Sequence, residues 1–267
     1  CRGTDLTSPR LFTNQLINLL GKTNFSKNLK YSDWHISVAS ALQKSAEEIA
    51  GHFLRELYKI TKLKKLCVSG GFFMNSVYNG KIIENTPFQD LYVPFAPTDA
   101  GNSIGAAMYI NHHLKNKPRV KQNFVSQIGP EYSDQDILKT IKLRNLKFTK
   151  SKNIVTDVAK MIVKHGFIGY YEGKSEFGDR ALGNRSILGD PRPLNIKDKI
   201  NSAIKYRESY RPFAPLTTTT DVSKFYEVKK NFSNPYMEKV VKTKKNYSKK
   251  LAAVTHFDNS ARVQTVD

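Results

Sequence analysis

A chain of 267 residues, 39% of them hydrophobic, can bury one large core or two medium ones, and we read two domains. The net charge of +20 comes mostly from lysine scattered through a background rich in Asn, Ile, Tyr and Phe, so it reads as compositional bias, with nucleic acid an unfavoured partner. Cys1 and Cys67 cannot build a disulfide framework, and no apolar run approaches the roughly 20 residues of a bilayer span, which fits a reduced, soluble, cytoplasmic protein without membrane contact. The chain opens at Cys1 rather than Met and stops in mid-pattern at Val266 and Asp267, so it reads as an internal piece of a longer polypeptide.

In chain order, Val38, Leu42, Ala46, Ile49, Phe53, Leu57 and Ile60 recur every three or four positions and predict one amphipathic helix over residues 37–60. His35 and His52 flank or lie within it and read as structural. Residues 65–68 predict a buried strand running into Gly70 and Gly71, followed by a helix over 74–84, a strand over 90–94, a turn at 97–102 and a helix over 103–114. This alternation implies an α/β layer with its ligand site at the carboxyl ends of the strands. Periodicity lapses over 115–128, and we place the domain boundary there. Helices are expected over 133–143, 154–165 and 195–206, and strands over 167–171 and 251–255. The lysine-rich stretch 229–250 has no period and reads as a long surface excursion.

The most informative segment is 173–192, where Gly173, Gly178, Gly183 and Gly189 alternate with Lys174, Arg180, Arg185 and Arg192. Glycine allows close approach of backbone to a ligand, and guanidinium binds phosphate or carboxylate through a planar fork, so the combination predicts an anion pocket. Of 11 arginines in the chain, five lie between positions 180 and 211. Lys205, Arg207 and Arg211 place further cations beside Tyr206, Tyr210 and Phe213, and Pro212 pushes Arg211 into an extended conformation. His256, Asp258 and Arg262 form a third polar cluster, while Glu176 and Asp179 are expected to orient the arginines. Gly70 and Gly71 suit either a tight crossover or, with Asn75, a nucleotide phosphate. Asp99 suits either a helix cap or a metal ligand. None of these is a Ser-His-Asp set, and the cysteines lack metal-site spacing; the inventory suits charge stabilisation of phosphates.

The run from Glu176 to Leu188, EFGDRALGNRSIL, resembles the EFGPRALGNRSIL signature of the O-carbamoyltransferases of nodulation-factor and antibiotic biosynthesis. Also similar to that family are Gly70-Gly71 with Asn75, Thr98 to Gly101 with Gly105-Ala106-Ala107, Arg207 to Pro215, and Thr255 to Asp258 with Ala261 to Gln264. The resemblance implies an α/β fold, α+β in the second domain. The C-terminal half of an actin-like ATPase domain would fill residues 1–117 and a linker 118–128. A YrdC-like α/β domain, truncated at its C-terminus, would fill 129–267. It implies formation of carbamoyl adenylate and pyrophosphate from carbamoyl phosphate and ATP, then transfer of the carbamoyl group to a hydroxyl of a small-molecule or sugar acceptor with release of AMP.

Carried over, Lys174, Arg180, Arg185, Arg207 and Arg211 would bind carbamoyl phosphate and nucleotide phosphates. Gly70, Gly71, Asn75, His256, Asp258 and Arg262 would complete the nucleotide and phosphate sites. Asp99 would hold an iron-type divalent metal or Mg with two histidines of an H-x-x-x-H motif. That motif is absent here, so the metal site is expected to be incomplete and the missing N-terminal half of the polypeptide to be a partner; a homodimer is a further expectation. Asp179 stands where the family has proline, and Phe72-Phe73 where smaller residues are common. The alternatives are a threonylcarbamoyl-adenylate enzyme of tRNA modification and a basic RNA-binding module, the latter predicting salt-dependent RNA binding indifferent to carbamoyl phosphate.

Overall fold

The computed structural model describes residues 12–21, 31–119 and 125–267; Cys1 and part of the expected linker, residues 120–124, lie outside them. The chain divides into two compact units, Cys1–Ile60 and Thr61–Asp267. In the first, α1 (Asn14–Leu20) is capped by Thr13, whose hydroxyl accepts from Leu16 N at 3.3 Å. The helix α2 (Asp33–Thr61) begins earlier than the apolar stripe predicts, because Asp33 complements the helix N-terminus before the first apolar turn. The indole of Trp34 donates to Leu20 O at 2.8 Å and joins the two helices. Gly51 and Leu54 are the buried residues of α2.

The second unit is mixed α/β. In chain order it comprises β1 (Lys65–Cys67), a 3-10 turn (Gly71–Met74), α3 (Ser76–Asn85), β2 (Asp90–Tyr92), α4 (Gly101–Tyr109) and a π turn (Ile110–Leu114). Then come α5 (Asp134–Leu143), α6 (Ile154–His165), β3 (Phe167–Tyr171), β4 (Arg185–Gly189), α7 (Asn195–Ile200) and a second π turn (Asn201–Lys205). The last elements are β5 (Leu216–Thr218), α8 (Val222–Phe225), β6 (Val241–Lys242), α9 (Lys245–Ser248), β7 (Ser260–Ala261) and β8 (Gln264–Val266). Strands pair in twos: β1 with β2 and β5 with β8 in parallel, β3 with β4 and β6 with β7 antiparallel. Leu66 and Leu91 are opposed at the centre of the β1–β2 pair and both are buried. A second apolar centre joins Val222, Tyr226, Ala261 and Val263, with Phe225, Phe232 and Val241 packed against it. Among the described residues no helix is long and apolar enough to cross a membrane.

Helix starts follow local chemistry. Asn75 accepts from Tyr78 N at 3.1 Å and starts α3, so the helix expected from residue 74 is split into a 3-10 turn and an α-helix. Ser133 and Asp136 form a reciprocal capping box on α5, and Asn153 caps α6. The helix expected over 195–206 loosens into a π turn and stops at Tyr206, whose left-handed backbone (φ 47°) ends the repeat.

Two expectations are corrected. Residues 251–255 form a helical turn rather than a strand, because the Leu251 carbonyl accepts from Val254 N, Thr255 N and the Thr255 hydroxyl. The stretch 229–250 is no surface excursion. Asn234 is fully buried, its amide donating to Lys239 O at 2.9 Å and Val263 O at 2.7 Å, and Thr243 is also fully buried. Polar side chains here satisfy backbone groups that have no sheet ladder, which leaves no apolar period to read. The same stretch lies on α3: Val240 N donates to Ser76 O at 2.9 Å, and Asn79 donates to Glu238 O at 3.0 Å. A Cβ at Gly80 would sit 2.2 Å from Val240 O, so Gly80→Ala is expected to cost about 1–3 kcal/mol, measured by urea unfolding of the two proteins.

Candidate functional site

The loop between β3 and β4 carries the glycine and arginine run, and Glu176 shapes it. One carboxylate oxygen accepts from the backbone N–H of Leu182 (2.9 Å), Asn184 (2.8 Å) and Arg185 (3.2 Å). Burial pushes the Glu176 carboxyl up, but these backbone donors outweigh it and leave it below the usual carboxylate range. Gly178 has φ 113°, and a Cβ there would lie 2.9 Å from Phe95 O, so only glycine lets the loop meet the 95–98 segment. Asp179 seals that contact by accepting from the Thr98 hydroxyl at 3.1 Å. Its expected steering of a guanidinium is corrected accordingly: Asp179 acts on Arg180 through its charge alone.

Arg180 is 8% exposed. It donates to Tyr236 O at 3.1 Å and Met74 O at 3.3 Å, while its Nε is buried without a hydrogen-bond partner. It lines a cavity of about 380 Å³ with Arg207 and Arg262, walled by β4, α7 and Phe213. Arg207 is held by the Asn201 carbonyl oxygen of its side chain at 2.6 Å and stacks over the Phe213 ring at 4.6 Å. The Arg262 guanidinium donates no hydrogen bond to another described residue; burial, then Arg180, then Arg207 lower its proton affinity. Three guanidinium groups therefore face one cavity and repel one another. An anion would relieve that repulsion, and a 380 Å³ cavity has room for one. Lys197 and Lys205 add two ammonium groups to the wall.

The other sequence candidates are placed as follows. Arg185 is half-buried and spends its donors on the backbone carbonyls of Glu172 (2.6 Å), Gly173 (2.8 Å) and Asn184 (3.0 Å), with its guanidinium 3.5 Å above the Tyr171 ring. It clamps the loop. Lys174 is exposed, and Arg211 is exposed and paired with Glu208 at 3.2 Å; neither lines the cavity. His256 accepts or donates at Ser260 Oγ (3.0 Å), and its Nε2 is buried without a partner. Burial lowers its proton affinity, Asp258 raises it, and Arg262 and Lys197 lower it, which places the ring beside the cation cluster. Asp258 accepts from the Ser260 hydroxyl at 2.5 Å and faces Lys242, so it holds the turn before β7. Gly70, Gly71 and Asn75 do not line the cavity, and the Gly70 N–H donates to Pro97 O at 2.6 Å.

Asp99 is exposed and does not cap α4, whose first turn has no side-chain cap. Among the described residues no three of His, Cys, Asp and Glu gather to hold a metal. A larger cavity of about 1400 Å³, lined by Tyr92, Tyr109, Ser126 and Tyr236 among others, has no Lys or Arg in its wall. The anion argument therefore belongs to the smaller one. Two participants escaped the sequence reading: Lys197, on a helix read only as charged, and Glu238, inside the stretch read as surface. No periodic signal marks either.

A depressed carboxyl stabilises the fold above its unfolded pKa and loses that contribution as pH falls through the folded one. Glu176→Gln is therefore expected to unfold at lower temperature than the wild type near neutrality. The gap should close as pH falls below about 4, as followed by thermal unfolding across that range.

Residues 8–108 match the carbamoyltransferase N-terminus family and residues 159–267 the carbamoyltransferase C-terminus family. The chain is 37% identical over 246 residues to nodulation protein NolO of Bradyrhizobium diazoefficiens, covering 90% of this chain and 44% of that protein. It is 36% identical over 245 residues to nodulation protein NolNO of Sinorhizobium fredii, covering 90% of this chain and 36% of that protein. Nodulation protein U of Sinorhizobium fredii is 31% identical over 245 residues, or 85% of this chain and 42% of that protein. The chain thus spans less than half the length of these relatives. With both family halves matched in order, and the cation cavity built from residues of the second, the chain belongs to the carbamoyltransferase family of enzymes.

Proposed function

We propose that this chain carries the anion-activating part of an ATP-dependent O-carbamoyltransferase. Arg180, Arg207 and Arg262 bind the phosphate groups of carbamoyl phosphate and ATP. The observation that carries this reading is the convergence of three guanidinium groups on one cavity, of which Arg262 is disfavoured by burial and by the charges of Arg180 and Arg207. In this reading residues 1–117 are the second half of an actin-like ATPase domain and residues 129–267 a YrdC-like domain, in keeping with the two matched family halves.

For the atoms to balance, carbamoyl phosphate reacts with water and releases inorganic phosphate, giving carbamate. A carbamate oxygen then attacks the α-phosphorus of ATP, the bond to the β-phosphate oxygen breaks, and pyrophosphate leaves. A hydroxyl of the acceptor next attacks the carbamoyl carbon of the adenylate; AMP leaves and the hydroxyl proton passes to solvent. Guanidinium groups favour the first two steps by neutralising charge that grows on phosphate oxygens. Fixing them in a half-buried wall means little reorganisation at the moment of reaction. Ile196 and Ile200 of α7 and the Phe213 ring give the cavity an apolar side that suits a base or a carbamoyl group beside the phosphates.

The test is exchange of labelled pyrophosphate into ATP. Exchange is expected to require carbamoyl phosphate and to fall by about a hundredfold or more in Arg180→Ala and in Arg262→Ala. Exchange supported equally by threonine with bicarbonate, or undiminished in both variants, overturns the assignment.

A further inference from the structure

The buried carboxylate of Glu238 is unused by the reaction proposed above. Glu238 is 5% exposed. One of its carboxylate oxygens accepts from Tyr236 N at 3.0 Å, while the carbonyl of the same Tyr236 accepts from Arg180 at 3.1 Å. The other oxygen lies 3.7 Å from Lys239 Nζ. The Glu238 backbone is itself pinned, its carbonyl accepting from the buried Asn79 amide of α3 at 3.0 Å. Arg180 thus takes its direction from the carbonyl of a residue whose backbone N–H Glu238 holds. Moreover, the Arg180 Nε is buried and unpartnered, so among the described residues the carbonyls of Tyr236 and Met74 supply the hydrogen bonds of this guanidinium.

We infer that Glu238 is a positioning residue of the anion cavity: through the Tyr236 backbone it holds Arg180 in place, and its charge competes with a bound anion for that guanidinium. The inference rests on the reading of the Arg180 cavity as an anion site. Charged and titratable groups face Glu238 from three sides. Lys239 adjoins it, Arg180 reaches it from the β3–β4 loop, and Tyr92 of β2 and Tyr236 both sense its charge. Both tyrosines are pushed up, by burial first, and stay neutral in the working range. Burial pushes the Glu238 carboxyl above the usual range, while Lys239, backbone N–H donors and Arg180 pull the other way. An anion beside Arg180 cancels part of that pull and favours the protonated acid. Proton uptake and anion binding therefore support each other, and by linkage anion affinity falls as rising pH ionises Glu238.

Sulfate is the probe, because it keeps its double charge where phosphate titrates. Its affinity is measured by calorimetry between about pH 5 and about pH 8 for the wild type, Glu238→Gln, Glu238→Ala and Arg262→Ala. Glutamine keeps an acceptor for Tyr236 N without the charge; alanine keeps neither. The wild type is expected to weaken by about tenfold as pH rises, the usual size of a coupling between two sites. Glu238→Gln should follow a flatter profile and bind more tightly than the wild type at the alkaline end. Glu238→Ala should bind about tenfold more weakly than Glu238→Gln throughout. His256, beside Arg262, titrates in all the proteins, so the difference between wild type and Glu238→Gln isolates the glutamate. A role confined to fold stability would lower thermal stability in both variants and leave the pH slope intact. Sulfate binding lost in Arg262→Ala but unaltered in slope and strength by both Glu238 variants overturns the inference alone. A wild type that binds sulfate no better than Arg262→Ala overturns the anion site and the inference with it.

Discussion

The guanidinium of Arg180 is the interaction on which the second unit's site depends. It ties the β3–β4 loop to two carbonyls that come from distant parts of the chain, Met74 at the end of the 3-10 turn and Tyr236 in the stretch before β6. A charge that is 8% exposed is costly unless its donors are satisfied or an opposite charge is near. Here two carbonyls, the field of Glu238 and the field of Asp179 offset burial in part. Gly178 and Asp179 then set the loop against the 95–98 segment, and Glu176 folds the rest of the loop around its own carboxylate. The fold thus holds a cation where an apolar side chain would be easier to bury, and that expense is consistent with a functional site.

Like charge shapes the cavity itself. Arg262 is depressed by burial and then by Arg180 and Arg207, with no carboxylate among the causes. Arg207, lowered first by burial and then by Arg211, has only the exposed Glu208 to counter it. The cations Arg180, Lys197, Lys205, Arg207 and Arg262 outnumber the carboxylates Asp179 and Asp190 in the wall, so the cavity is net electropositive. The larger cavity nearby is lined by tyrosines and Asp267 with no Lys or Arg, a contrasting environment. Gln264 lines both cavities, and its amide donates at 2.8 Å to the carbonyl of Leu182, which lines the larger one.

Much of the fold was legible where local signals act alone. The apolar spacing of α2, the helices α5 and α6 and the five-residue strand β3 depend on neighbours within a few positions, and these elements form where the sequence places them, to within a few residues at their ends. Reading failed where a side chain's role was set by residues far away in sequence. The stretch 229–250 is buried by amide-to-backbone bonds from Asn234 and Asn79, which leave no hydrophobic period. Part of the arginine-rich run became β4, because pairing with β3 satisfies its backbone.

The sequence by itself determined the family, the mixed α/β character and the segment from which the anion site would be drawn, because glycine and arginine at fixed spacing carry that information locally. Only tertiary structure decided which cations face the cavity. Arg185 and Arg180 are five residues apart in one motif, yet one binds backbone carbonyls of its own hairpin while the other reaches across the unit to Tyr236 and lines the cavity. The difference is physical: a guanidinium goes to whichever acceptors lie within its reach, and those acceptors are placed by chain segments remote in sequence.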